Sequence, residues 1–141
     1  MPRRPAAVLA LAVLAASGAA AAPASAAPRV LRGSYETGVT VPDPTTGGLP
    51  HDTCDGLPTS RSQRRLALPS AGVLTVTLTA TGDWGLAVRD PRGRTLRRAD
   101  SAVSAPERLV LRRRGRGTVV LEACNFAGAP TARVSYVFRS R

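Results

Sequence analysis

The stretch LTVTLTATGDWGLAVRDPRG, residues 74–93, decides the fold. Leu74, Val76 and Leu78 alternate with Thr75, Thr77 and Thr79. A period of two puts the apolar side chains on one face of a strand and the threonines on the other. Ala80 to Gly82 is expected to turn the chain, and Trp84, Leu86 and Val88 then share a face opposite Gly85, Ala87 and Arg89. The stretch ends in turn chemistry. Asp90 caps with its side chain, Pro91 presets φ, and Gly93 tolerates a positive φ, so a type I turn between two strands follows whether or not anything binds there. Arg89, Arg92 and Arg94 are extra to that need.

The same period recurs outward from this stretch. Leu66 and Leu68 alternate with Arg65 and Ala67 in a run that starts at Arg64. Further runs are Thr95 to Arg98, Glu107 to Arg113, Thr118 to Cys124, and Thr131 to Arg139, where Val134, Tyr136 and Phe138 point one way. One more strand is expected around Ser34 to Val41. Short strands between Gly/Pro turns, with no convincing helical period after the leader, predict an all-β fold. The expectation is an antiparallel, jelly-roll-like β-sandwich of about seven to eight strands, with one solvent-facing side to each sheet. Five aromatics leave its core to leucine and valine.

Residues 1–26 read as a signal peptide. Arg3 and Arg4 open it, an apolar run from Ala6 to Ala16 follows, and Ala24-Ser25-Ala26 is a small-x-small cleavage site. The run is short and mostly alanine, a poor membrane anchor, so a secreted chain with no transmembrane segment after processing is expected. Residues 27–62 read as an irregular arm rich in Pro and Gly, and residues 63–141 as the sandwich. Cys54 and Cys124, an even pair in an exported chain, are expected to form a disulfide that pins the arm to the domain.

The charge is lopsided. There are twenty arginines and no lysine, and without Arg3 and Arg4 eighteen bases face nine acids. Ten of the arginines fall in residues 89–116, against Asp90, Asp100 and Glu107. Charge of this size opposes compaction and favours polyanions, which the arginine fork binds bidentately. The candidate polyanion-binding residues are Arg89, Arg92, Arg94, Arg97 and Arg98, together with Arg112, Arg113, Arg114 and Arg116. Arg114-Gly115-Arg116-Gly117 reads as the tip of a hairpin.

Residues 61–139 resemble the bacterial pre-peptidase C-terminal domain, a secreted β-sandwich. The run LALPSAGVLTVTLTATGDWGLAVRDPRGRTL carries the resemblance: a strand into a Pro/Gly turn, an alternating strand, then an Asp-led strand ending in Asp-Pro-x-Gly. GTVVLEACNFAG and ARVSYVF are similar to that family's last two strands. Asp83 is followed by Trp84 and Gly85, so the second acid common in relatives is missing. The resemblance implies a module that accompanies exported enzymes; some relatives bind polymers or calcium, and no residue here maps onto those roles.

The inventory for chemistry is thin. His51 beside Asp52 resembles the base half of a triad, but both fall in the turn-rich arm and no Gly-x-Ser-x-Gly elbow exists, so His51 reads as a solvated loop histidine. A ribonuclease-like site would draw on Glu107, Glu122, an arginine and His51. Zinc lacks ligands once the cysteines pair. Asp43, Asp52 and Asp55 do not match a calcium-loop spacing. The leading expectation is a non-catalytic module without a cofactor. Its partner is an anionic cell-envelope polymer or an exported protein, and not a specific nucleic acid, because the aromatics read as core-facing. The alternatives are a small hydrolase of an anionic polymer and an inhibitor or chaperone of an exported protease.

Overall fold

The computed structural model describes residues 28–40, 54, 58–101 and 106–141. Among the described residues six strands form: β1 (Val30–Gly38), β2 (Arg61–Leu68), β3 (Gly72–Arg89), β4 (Thr95–Ala99), β5 (Glu107–Arg113) and β6 (Gly117–Ser140). A 3₁₀ turn, Pro58–Ser60, precedes β2. All pairings are antiparallel.

The eight apolar runs appear as six strands because two pairs of runs are continuous. β3 carries both halves of the opening stretch, and β6 carries both of the last two runs. Ala80 to Gly82 does not turn the chain back. The strand bends there while β3 and β6 stay paired, through register shifts at Ala80/Gly82 and Asp83/Trp84. Gly82 pairs with Gly128 at the bend, with φ of 110° and 104°. A Cβ on Gly82 would sit 2.2 Å from the Ala127 carbonyl oxygen, so the two backbones meet at a distance that glycine alone permits.

This bend folds one hydrogen-bonded sheet into two layers. In the first layer the order is β1, the C-terminal half of β6, the N-terminal half of β3, then β5. In the second it is β2, the N-terminal half of β6, the C-terminal half of β3, then β4. Counted as eight segments, this is a jelly-roll sandwich. The 27–62 segment contributes β1 as an edge strand, Val30–Gly38, a few residues earlier than Ser34 to Val41. β2 begins at Arg61.

The layers meet through the alternating apolar faces. Leu74, Val76 and Leu78 of the first layer face Leu86, Val88 and Leu121 of the second, all essentially inaccessible to water. Each such side chain contributes about 1.5–3 kcal/mol by burial. Trp84 closes the core at the bend and donates its indole N–H to the Ala129 carbonyl at 3.1 Å.

The link from β5 to β6 is not a hairpin. β5 pairs with β3, while β6 opens against β2, so Arg114 to Arg116 cross from one layer to the other. Glycine supplies the freedom for that crossing as readily as for a tight turn, which is why the two read alike in sequence.

Candidate anion-binding surface

The pairings place most loops opposite the bend at one end of the sandwich. Leu68 pairs with Gly117, and Gly72 pairs with both Arg113 and Ser140. Three residues separate Leu68 from Gly72, so both ends of β6 lie together. Arg89 pairs with Val120, just inside that end, which brings the 90–94 turn there as well. The Ser140 N–H donates to the Arg29 carbonyl at 2.9 Å and the Arg141 N–H to the Ala71 carbonyl at 3.2 Å, tying the described chain ends to the same place.

Arginines from four separate stretches therefore converge. Arg29, Arg92, Arg114, Arg116 and Arg141 are all exposed at this end. The acid there, among the described residues, is Asp90. Glu36, Asp83, Asp100 and Glu107 lie toward the bend. Asp90 is already engaged. Its Oδ1 accepts from the Arg92 and Arg94 N–H groups at 2.9 and 3.0 Å, and its Oδ2 from the Arg94 guanidinium at 3.1 Å. Desolvation pulls its carboxyl upward, but those backbone hydrogen bonds and the Arg94 charge outweigh it and hold the group below its usual range. The Gly93 N–H closes the turn on the Asp90 carbonyl at 3.0 Å, with Gly93 at φ 86°. This is the type I turn read from the sequence, with a glycine bulge after it.

The predicted arginines separate into groups. Arg92, Arg114 and Arg116 belong to the basic end. Arg94 is there too, paired with Asp90. Arg97 and Arg98 are exposed on β4 and alternate between its two faces, and Arg98 lies beside Asp100 and Ser101 of the segment that follows. Arg112 points outward from β5, whereas Arg113 is half-buried and its Nε is buried without a hydrogen-bond partner.

Arg89 has a different task. Its Nε donates to Glu122 Oε1 at 2.7 Å, and its other nitrogens reach the Gly93 carbonyl, Thr95 Oγ1 and the Cys54 carbonyl. The Glu122 side chain is fully buried and the Arg89 side chain 12% exposed. Gln63 completes the carboxylate through a short hydrogen bond from its amide to Oε2. This network sits beneath a cleft of about 220 Å³ lined by Gln63, Arg65, Arg89 and the 90–93 turn. With every arm of its guanidinium held by the protein, Arg89 acts in the fold and not as an anion hook.

The Cys54–Cys124 disulfide forms as expected, with Cα atoms 5.5 Å apart. It closes a separation of 70 positions, which in the chain-entropy account stabilises by about 4 kcal/mol. Glu122 lies beside both sulfurs. Bonded to each other, the sulfurs are not thiolate ligands, and the carboxylate is taken by Arg89 and Gln63, so this trio does not make a metal site. Asp43, His51, Asp52 and Asp55 lie outside the described residues. Glu107 and Glu122, the acids of a ribonuclease-like arrangement, are both buried and do not converge. Glu107 shares a row with Leu78 on the core side of one layer and accepts from Ser101. Glu122 shares a row with Ala87 on the outer side of the other.

Sequence reasoning passed over Arg32, Arg108, Arg133 and Arg139. Their registers put them on the outer face of the first layer together with Arg112, where Thr75 and Thr77 also point. The signal was present, since each falls on the phase opposite the apolar residues of its own strand. Counting arginines by runs hid it. A scan of protein-family models finds none that matches the chain, and a search of curated proteins finds no match.

Proposed function

We propose that this protein is a non-catalytic, exported β-sandwich module of the pre-peptidase C-terminal type, which attaches to an anionic polymer of the cell envelope through its basic end. The observation that carries the reading is the convergence of Arg29, Arg92, Arg114, Arg116 and Arg141 at the end opposite the bend, where Asp90 is already paired with Arg94. A cluster of like charge concentrates its field, attracts polyanions and releases them as salt screens it. The buried disulfide suits an oxidising space. Among the described residues no helix is long and apolar enough to cross a membrane. The all-β, two-layered fold is of the kind that the resemblance implies.

Co-sedimentation of the oxidised protein with envelopes of the producing organism tests the reading. Binding at about 50 mM salt that is lost by about 500 mM is expected. Absence of binding at both concentrations overturns it, and so does turnover of an envelope polymer by the protein.

A further inference from the structure

On the outer face of the first layer, arginines on two strands border the strip along a third like the rails of a channel. β3 runs down its middle, and Val73, Thr75 and Thr77 form a half-buried floor. β5 and β6 flank β3 on either side. Residues paired across strands share a face, so Arg112 and Arg139 stand on the two sides of Val73, and Arg108 stands beside Thr77. Arg133 continues the β6 side next to Thr79. All four arginines are exposed, and among the described residues none of them is in an ion pair.

The dimensions follow from strand geometry. Two inter-strand spacings separate the arginine rails, about 10 Å. Along the rails Arg108 and Arg112 are about 13 Å apart, and Arg133 and Arg139 about 20 Å. The width suits one extended chain. The floor between the rails is hydroxyl and methyl, from Thr75, Thr77 and Val73, with Ser135 beside it, and Val110 and Val137 interrupt the rails in the Thr75 row. No aromatic ring reaches it. Trp84, Phe126 and Phe138 are buried, and Tyr35 and Tyr136 lie on the core-facing phase of β1 and β6. Single-stranded nucleic acids rely on stacking, which this face does not offer. The one acid on it among the described residues, Glu36, lies at the far end opposite Arg133.

We infer that this channel along β3 is the seat of a single extended polyol phosphate, a polyanion whose repeating units carry hydroxyls and no aromatic ring. The inference rests on the proposed polyanion reading and extends its binding surface from the basic end along the adjoining sheet face. Guanidiniums on both rails take the anionic groups, and the threonines hydrogen-bond the hydroxyls between them. Bound charge also relieves the mutual repulsion of Arg112 and Arg139, which share a row.

Titration calorimetry of the oxidised protein tests this with four probes: poly(glycerol phosphate), polygalacturonate, oligothymidylate of matched charge, and phosphatidylglycerol vesicles. Poly(glycerol phosphate) is expected to bind more tightly than the other three, and polygalacturonate binding as tightly or more tightly overturns the choice of a polyol phosphate. The Arg108→Ser/Arg112→Ser/Arg139→Ser variant should bind at least about tenfold more weakly, with the salt slope reduced by about 0.7 for each anionic group of the polymer that is no longer neutralised. The Thr75→Val/Thr77→Val variant, isosteric and suited to a strand, should weaken binding several-fold and leave the slope unchanged. Circular dichroism and Trp84 fluorescence check that each variant is folded. Oligothymidylate binding as tightly as the polymers, or vesicles alone binding, overturns the inference. If Arg92→Ser/Arg114→Ser/Arg116→Ser abolishes binding while the channel variant retains it, the channel fails and the basic-end reading stands. If no polyanion binds the wild type, both fail.

Discussion

Gly82 and Gly93 both hold a positive φ, yet they are not equivalent. A Cβ on Gly93 meets nothing within 4 Å, whereas one on Gly82 would overlap the Ala127 carbonyl and the Gly128 Cα. Gly93→Ala therefore adds left-handed strain alone and should cost about 1 kcal/mol. Gly82→Ala adds strain and overlap at the bend of both layers, and should cost about 3 kcal/mol or more. Urea midpoints at unchanged m separate the two, and equal losses would mean that the bend tolerates a side chain. Tyr35 gives a second prediction at this scale. Burial raises its phenol, the Arg64 guanidinium 4.5 Å from the ring centroid pulls it back, and Tyr136 adds to the rise, leaving it at about 12 against an ordinary 10. The sign follows from proton binding. Between those values the unfolded chain gives up the proton and the folded chain keeps it, so the contribution is whole below pH 10 and is lost as pH rises through about 12. Stability of the wild type should fall across that window, and that of Tyr35→Phe should fall less. A Tyr35 phenolate that appears at pH 10 in the folded protein would contradict this.

Three strands meet in the Arg89–Glu122–Gln63 network, which makes it a property of paired elements and not of any one residue. β3, β6 and β2 each supply a member, and the row Gln63, Glu122, Ala87 aligns them. A buried carboxylate that loses its cation is left uncompensated, so Arg89→Met should destabilise by about 3–5 kcal/mol. Removing both charges in Arg89→Met/Glu122→Leu should cost less than the single change, because no charge is left stranded. A double-mutant cycle by urea unfolding measures this, and simple additivity would show that the pair is uncoupled. The network also explains which parts of the architecture were legible in sequence. Each apolar run is a local pattern, so all eight were visible. The partner of Arg89 lies 33 positions away, and nothing local distinguishes it from Arg92 or Arg94. The continuity of β3 and β6 was hidden for a related reason. Glycine at 82 and at 128 reads as a break in either strand alone, and becomes a bend only when the two glycines face each other. The backbone of the Asp90 turn was legible because its hydrogen bonds close within five residues, whereas the ion pair that takes up Arg94 was not read.

At the scale of the whole molecule the arginines matter as a distribution. Their number was evident from composition, but their arrangement depends on strand order, which long-range pairing decides. Run by run, Arg112 to Arg116 looked like one cluster. In the fold Arg112 belongs to an outer face with Arg108 and Arg139, Arg113 turns half inward, and Arg114 and Arg116 join Arg29, Arg92 and Arg141 at the end. Folding thus gathers like charge that the extended chain keeps apart, with the acids of the described residues drawn mostly toward the bend. That gathering opposes compaction, and mobile ions weaken the opposition as the Debye length falls from about 20 Å at low salt to about 6 Å at a few hundred millimolar. Stability should therefore rise with salt, by roughly 1 kcal/mol between about 20 and about 300 mM sodium chloride. Arg114→Ser/Arg116→Ser should be more stable than the wild type at the low end and nearly equal to it at the high end, since exposed residues in a loop contribute little beyond their charge. Thermal unfolding across a salt series measures both. A wild-type midpoint that ignores salt, or a variant whose gain persists at the high end, would mean that the basic end carries no repulsion for a bound polyanion to relieve.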